Sequence, residues 1–134
     1  MSDHKKPVIM IVDDSKMILR VARNFLEPDY DVVVAMDGFK ALAEIVGAKP
    51  DILFLDVMMP RLNGYETCLA IKSSPEFADL PVVMLSSKDS PFDKAKGALM
   101  GCSDYLTKPF SREELREAVM RHIPQNNPDV DPAD

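Results

Sequence analysis

Polar groups of complementary chemistry stand directly after short apolar runs in this chain. Asp13 and Asp14 follow Val8–Val12, Asp56 follows Ile52–Leu55, Ser86 and Ser87 follow Val82–Leu85, and Lys108 comes just after the weaker Tyr105–Leu106 pair. Carboxylates gathered in one crevice repel each other and need a compensating cation, for which a hard, oxygen-ligated ion such as Mg²⁺ is suited. A lysine and a hydroxyl beside them are the donors that a bound phosphoryl group requires. Each residue also has a plainer reading. Asp13 and Asp14 could cap a helix, the commoner fate of acids between a strand and a helix; Asp56 alone is a loop acid, Ser86 a strand-end hydroxyl and Lys108 a solvated lysine. The constellation outweighs its members only if the apolar runs are neighbouring strands.

The pattern around them supports that arrangement. Val8–Val12, Val32–Ala35, Ile52–Leu55 and Val82–Leu85 are continuous rather than alternating apolar runs, the mark of strands covered on both faces in a parallel sheet. Each is followed by helical spacing: Ile18, Val21, Ala22, Phe25 and Leu26 in 15–27; Ala41, Leu42 and Ile45 in 38–47; Cys68, Leu69 and Ile71 in 65–72. Ser90 with Pro91 predicts an N-cap and first helical residue. Ser111 with Glu114 predicts a capping box, followed by Leu115, Ala118, Val119 and Ile123 on one face. Five βα units are too few for an eight-fold barrel. The expected fold is α/β: a doubly wound, five-stranded parallel sheet of order 2-1-3-4-5 with five helices, as in flavodoxin-like proteins. In such a sheet strands 1 and 3 are neighbours, and functional groups gather at the carboxyl ends of the strands.

Composition bounds the rest. The 134 residues carry a net charge of −6, which argues against broad binding to nucleic acid or anionic lipid. No apolar run reaches the ~20 residues of a membrane span, and the N-terminus lacks a signal-peptide core, so a soluble, cytoplasmic protein is expected. Cys68 and Cys102 match no metal spacing and read as reduced thiols. His4 and His122 read as bystanders. The methionines, among them Met58, Met59, Met84 and Met100, read as core filler or loop packing. Residues 1–6 are expected to be flexible, 7–123 to form the single domain, and 124–134, with its prolines and acids, to be a disordered tail.

Five segments carry a family resemblance: Val12-Asp13-Asp14-Ser15, Leu55-Asp56-Val57-Met58-Met59-Pro60, Asn63-Gly64, Met84-Leu85-Ser86-Ser87-Lys88 and Leu106-Thr107-Lys108-Pro109-Phe110. In this order they resemble the receiver domains of CheY-like response regulators. The resemblance implies that Asp56 is the phosphoacceptor for a histidine kinase phosphohistidine. It implies Mg²⁺ held by Asp14, Asp56 and the Met58 backbone carbonyl, with Asp13 acting mainly through a water. Ser86 would be the switch hydroxyl, Tyr105 the switch aromatic, and Lys108 the contact to the acyl phosphate, with a cis Lys108–Pro109 bond. Met58 and Lys88 match the positions that flank the hydrolytic water and tune dephosphorylation. The implied partners are a CheA-like phosphotransfer domain and a downstream protein on the face of helix 4, strand 5 and helix 5, where Lys88, Lys94 and Lys96 otherwise read as a solvated set. Met59–Cys68 and the stretch Met84–Asp89 with Phe92–Gly97 are similar to stand-alone twitching-motility receivers of type IV pilus chemosensory systems.

Two other classes share parts of this pattern. A haloacid-dehalogenase-like phosphatase also uses a strand-end Asp with Mg²⁺, but wants an acid two residues on, where this chain has Met58. A flavodoxin-like electron carrier needs a hydroxyl-rich phosphate loop after strand 1, where Asp13 and Asp14 would repel a phosphate.

Overall fold

The computed structural model describes residues 6–88 and 91–123. The N-terminal residues 1–5 with His4, the expected cap Ser90 and the expected tail 124–134 lie outside the described residues. Elements alternate along the chain: β1 (Val8–Val12), α1 (Lys16–Leu26), β2 (Asp31–Ala35), α2 (Gly38–Ala48), β3 (Ile52–Asp56), α3 (Gly64–Lys72), a 3₁₀ turn at Pro75–Phe77, β4 (Val82–Ser86), α4 (Lys94–Met100), β5 (Asp104–Thr107) and α5 (Arg112–His122). All strand pairs are parallel, in the order β2-β1-β3-β4-β5. This is the doubly wound topology expected from the sequence.

The apolar runs are continuous because the sheet is covered twice. Successive side chains of a strand point to opposite faces. Ile9, Ile11, Ile52, Phe54, Val83 and Leu85 therefore join Leu19, Ala22 and Leu26 of α1 and Leu115, Ala118 and Val119 of α5. Met10, Val12, Leu53, Leu55, Val82 and Met84 face the other way, against Ala41, Ile45, Tyr65, Cys68 and Ile71 of α2 and α3. The central strands β3 and β4 are buried throughout, whereas the edge strands β2 and β5 are not. Each large side chain so buried contributes about 1.5–3 kcal/mol. Among the described residues, no helix is long and apolar enough to cross a membrane.

Several local readings shift. The buried stripe of α1 runs through Leu19, Ala22 and Leu26, with Ile18 and Phe25 only partly buried and Val21 half-buried, because the sheet lies under that i, i+3, i+7 row. Leu69 is exposed: Tyr65, Cys68 and Ile71 occupy the covered side of α3. Helix α4 starts at Lys94, with the Asp93 carboxylate accepting from the Lys96 amide at 3.1 Å, so Pro91 precedes the helix. The capping box of α5 forms as expected, and Asn63 with Glu66 forms a second one on α3. His122 is no bystander. Its Nε2 lies 3.0 Å from Asp104 Oδ2, which also accepts from Arg121 at 2.6 Å, tying the end of α5 to the start of β5. Against the cost of burial, the His122, Tyr105-amide and Arg121 contacts hold the Asp104 carboxyl below its usual range. Met84 and Met59 are core, but Met58 is 60% exposed.

Candidate functional site

The site forms where β1 and β3, neighbours in the sheet, run out together. Asp13 continues the ladder of β1, its amide donating to Ala35 O at 3.1 Å, and Val57 does the same beyond β3, donating to Leu85 O at 3.0 Å. Carboxylate oxygens of Asp13, Asp14 and Asp56 lie within 4.8 Å of one another. Asp13 is wholly buried, Asp56 nearly so, and Asp14 is exposed. Neither aspartate of the pair caps α1. Ser15 does, its Oγ accepting from the Ile18 amide at 3.3 Å, while its own amide donates to Asp13 Oδ1 at 2.9 Å. Relieved of capping, Asp13 Oδ2 and the Asp14 carboxylate are left for the crevice.

Lys108 supplies the opposing charge. Its Nζ donates to Asp13 Oδ2 at 2.9 Å and to Asp56 Oδ1 at 3.3 Å, from a side chain only 15% exposed. The Lys108 amide donates to Ser86 O at 2.6 Å, tying its backbone to the end of β4; the Lys108–Pro109 peptide is cis, as the family resemblance implies. Asp56 Oδ1 also accepts from the Met58 amide at 3.3 Å. Glycine at 64 is required here. A Cβ would overlap Asp56's own carbonyl oxygen, and the Gly64 amide donates to Val57 O at 2.9 Å. The start of α3 is thus pressed against the strand end that carries Asp56.

The electrostatics follow from burial. Desolvation first, and the Asp13 charge second, raise the Asp56 pKa to about 6, although Lys108 and the Met58 amide pull the other way. Burial also works against a charged Lys108, yet its hydrogen bond and attraction to Asp13, then to Asp56, hold it above its usual range. An all-oxygen set of three carboxylates carries more negative charge than one lysine neutralises, and it fits a hard divalent cation.

Of the remaining sequence candidates, Ser86 is buried at the end of β4, and Lys88 is exposed beyond it. The Met58 side chain points to solvent, which rules it out as core filler. Tyr105 lies on β5, 40% exposed as a residue, with its ring stacked on Phe92 at 5.1 Å. Sequence reasoning missed Ser15 as the cap, the direct Lys108–Asp13 pair and the close approach of Gly64. Only the last left a signal, in the Asn63-Gly64 dipeptide.

Residues 9–120 match the response regulator receiver domain family. The chain is 53% identical over 121 residues to Protein PilG of Pseudomonas aeruginosa, covering 90% of each. It is 41% identical over 112 residues to the alkaline phosphatase synthesis transcriptional regulatory protein PhoP of Bacillus subtilis, a match covering 83% of this chain and 46% of that longer relative. Among solved structures, chemotaxis protein CheY4 of Vibrio cholerae superposes with a TM-score of 0.82 at 32% identity, over 87% of this chain and 98% of that one.

Proposed function

The chain belongs to the response regulator receiver domain family, and from that premise we propose that it takes a phosphoryl group from a histidine kinase onto Asp56 and switches protein contacts in response. The observation that carries this reading is the bridge from Lys108 to Asp13 and Asp56 beside Asp14. With Asp56 Oδ1 held by Lys108 and the Met58 amide, the other carboxylate oxygen attacks phosphorus. The P–N bond of the phosphohistidine breaks, and the imidazole, already carrying a proton on its other ring nitrogen, keeps the electron pair and departs neutral. Lys108 then follows the charge from the carboxylates to the phosphoryl oxygens, and the Ser86 hydroxyl donates to them. Mg²⁺ held by Asp14, Asp56 and the Met58 carbonyl, with Asp13 behind them, would shield the acids from the incoming phosphoryl group. The test is incubation with acetyl phosphate and Mg²⁺ followed by intact-mass and peptide mapping. A phosphoryl adduct on Asp56 is expected; no adduct, or one on another residue, would refute the reading.

Metal binding is checked separately. At millimolar Mg²⁺, backbone NMR shifts should cluster at Asp13, Asp14 and Asp56, and Asp14→Ala should lose them. Binding should be weak, since an ion at a shallow crevice retains much of its water. An equal response in Asp14→Ala would place the ion elsewhere.

The partners follow from the same reading: a CheA-like phosphotransfer domain as donor, and a downstream protein on the face of α4, β5 and α5. Lys94 and Lys96 are exposed there and complement an acidic target. The 53% identity to PilG, with the resemblance of Met59–Cys68 and Phe92–Gly97 to twitching-motility receivers, supports a cytoplasmic role in type IV pilus control. The signal should be long-lived. Hydrolysis needs a water in line with the departing carboxylate oxygen of the Asp56 acyl phosphate, and the flanking positions hold apolar Met58 and cationic Lys88, neither of which accepts a proton from water. A Met58→Asn, Lys88→Glu double variant should lose its phosphoryl group about tenfold faster, equivalent to about 1.4 kcal/mol of barrier. Equal decay of the purified phosphoproteins would remove both side chains from control of the lifetime.

A further inference from the structure

The start of α3, the loop before α4 and strand β5 are joined by a three-ring ladder. Tyr65, the residue after Gly64, is 7% exposed and stacks on Phe92 with centroids 6.2 Å apart and planes at 17°. Phe92 stacks in turn on Tyr105, at 5.1 Å and 22°. Tyr65 Oη accepts from the Asp93 amide at 2.8 Å, so the first rung grips the residue that caps α4. Phe92 also fills the space over Gly97, where any Cβ would overlap its ring. Lys96 Nζ sits 4.7 Å from the Tyr65 ring centre and Lys94 Nζ 5.5 Å from that of Tyr105, so the outer rungs are each covered by a cation of α4. Beside the last rung lies a cavity of about 280 Å³, lined by Phe92, Lys94, Ala98, Cys102, Asp104 and Tyr105.

From this geometry we infer that Phe92 is a positioning residue for Tyr105, coupling the Asp56 strand end to β5 through Gly64 and Tyr65 by a route separate from the Ser86 hydroxyl. The contacts run without a break. Gly64 abuts the Asp56 carbonyl, so displacement of that strand end displaces the first turn of α3 and with it Tyr65. Tyr65 has two holds on the segment before α4, one by stacking and one through the Asp93 amide, and moves it as a unit. The Phe92 ring already occupies the space where a Cβ at 97 would stand, against the backbone of α4, so its motion passes to Tyr105 on the other side. Tyr105 can respond, since the residue is partly exposed and the cavity adjoins it. Stacked aromatic pairs attract one another beyond their buried area, enough to bias a ring between two orientations. A leucine at 92 would keep the site apolar but carry no stack.

The inference rests on the phosphoacceptor reading for its purpose, but its geometry can be tested without phosphorylation. In protein carrying isotope-labelled tyrosine, Tyr65→Phe removes only the hydroxyl that holds Asp93. It should shift the Tyr105 ring signals, two rungs away, and this shift should vanish in Phe92→Leu and return in Phe92→Tyr, which restores a ring. Tyr105 signals indifferent to Tyr65→Phe, or equally responsive in Phe92→Leu, would overturn the inference. With acetyl phosphate and Mg²⁺, Ser86→Ala should retain part of the wild-type Tyr105 shift, and Ser86→Ala with Phe92→Leu should lose it. A double variant that shifts as Ser86→Ala alone does would refute the second route. Failure of wild type to label at Asp56 would instead count against the phosphoacceptor reading and leave the ladder to be judged by the unphosphorylated arm.

Discussion

Asp56→Asn will abolish labelling by acetyl phosphate and, in the absence of divalent cations, will make the protein more stable at neutral pH. Both effects come from one buried carboxylate. The amide has no nucleophilic oxygen anion, so the loss of labelling should be complete. The gain in stability follows from the raised pKa of about 6 in the folded state against an ordinary 3.8. The folded protein binds this proton more tightly than the unfolded chain, so stability falls as pH rises between about 4 and 6 and stays at its lower value above that. Two pKa units correspond to a ceiling of about 3 kcal/mol. Asparagine keeps an oxygen for Lys108 and the Met58 amide but carries no charge for Asp13 to repel. In urea unfolding with chelator present, Asp56→Asn should exceed wild type by about 1–3 kcal/mol at pH 7.5. The two should converge near pH 4, where wild-type Asp56 is protonated in the fold. Equal stability at pH 7.5 would contradict the electrostatic account, and label retained on the variant would contradict the acceptor assignment.

Lys108→Met should act in the opposite direction. It removes the cation that pairs with both Asp13 and Asp56 and leaves two buried carboxylates facing each other. Breaking a buried pair by removing one partner costs about 3–5 kcal/mol, because the remaining charge is stranded. Removing a phosphoryl-oxygen donor should also slow labelling by on the order of 10²-fold, the usual loss for one such group. Three conditions separate this from a general packing defect. Lowering the pH toward 4 should restore part of the stability by neutralising Asp56, added Mg²⁺ should do the same at neutral pH, and Lys108→Arg should retain most of it. A Lys108→Met protein within about 0.5 kcal/mol of wild type, the range of an ordinary surface substitution, would mean the bridge contributes nothing.

Continuous apolar runs identify buried parallel strands because both faces of such strands are covered. That, with helical spacing between them, is enough to place Asp13, Asp14, Asp56, Ser86 and Lys108 at the carboxyl end of one sheet. Ser111 and Glu114 announce α5 because a capping box is a contact between residues three apart. What is local in the chain is legible in it.

The rest depends on segments far apart in sequence. Whether Asp13 or Ser15 caps α1 is decided by Lys108, 95 residues from Asp13, which engages the buried carboxylate across the sheet end. The start of α4 is set at Asp93 rather than Ser90 because Tyr65, 28 residues earlier, accepts the Asp93 amide and stacks on Phe92. Leu69 is as apolar as Ile71, yet only Ile71 has an element packed over it. Hydrophobic periods of 2 and 3.6 record which face of an element is covered on average, not which side chain from another element meets it. The identity of the acids, the lysine and the sheet end they share was therefore written in the chain. The sharing of one lysine between two carboxylates, the high pKa of Asp56 and the ring ladder behind it came only with the tertiary packing, because each arises from burial and charge supplied by residues that the sequence keeps apart.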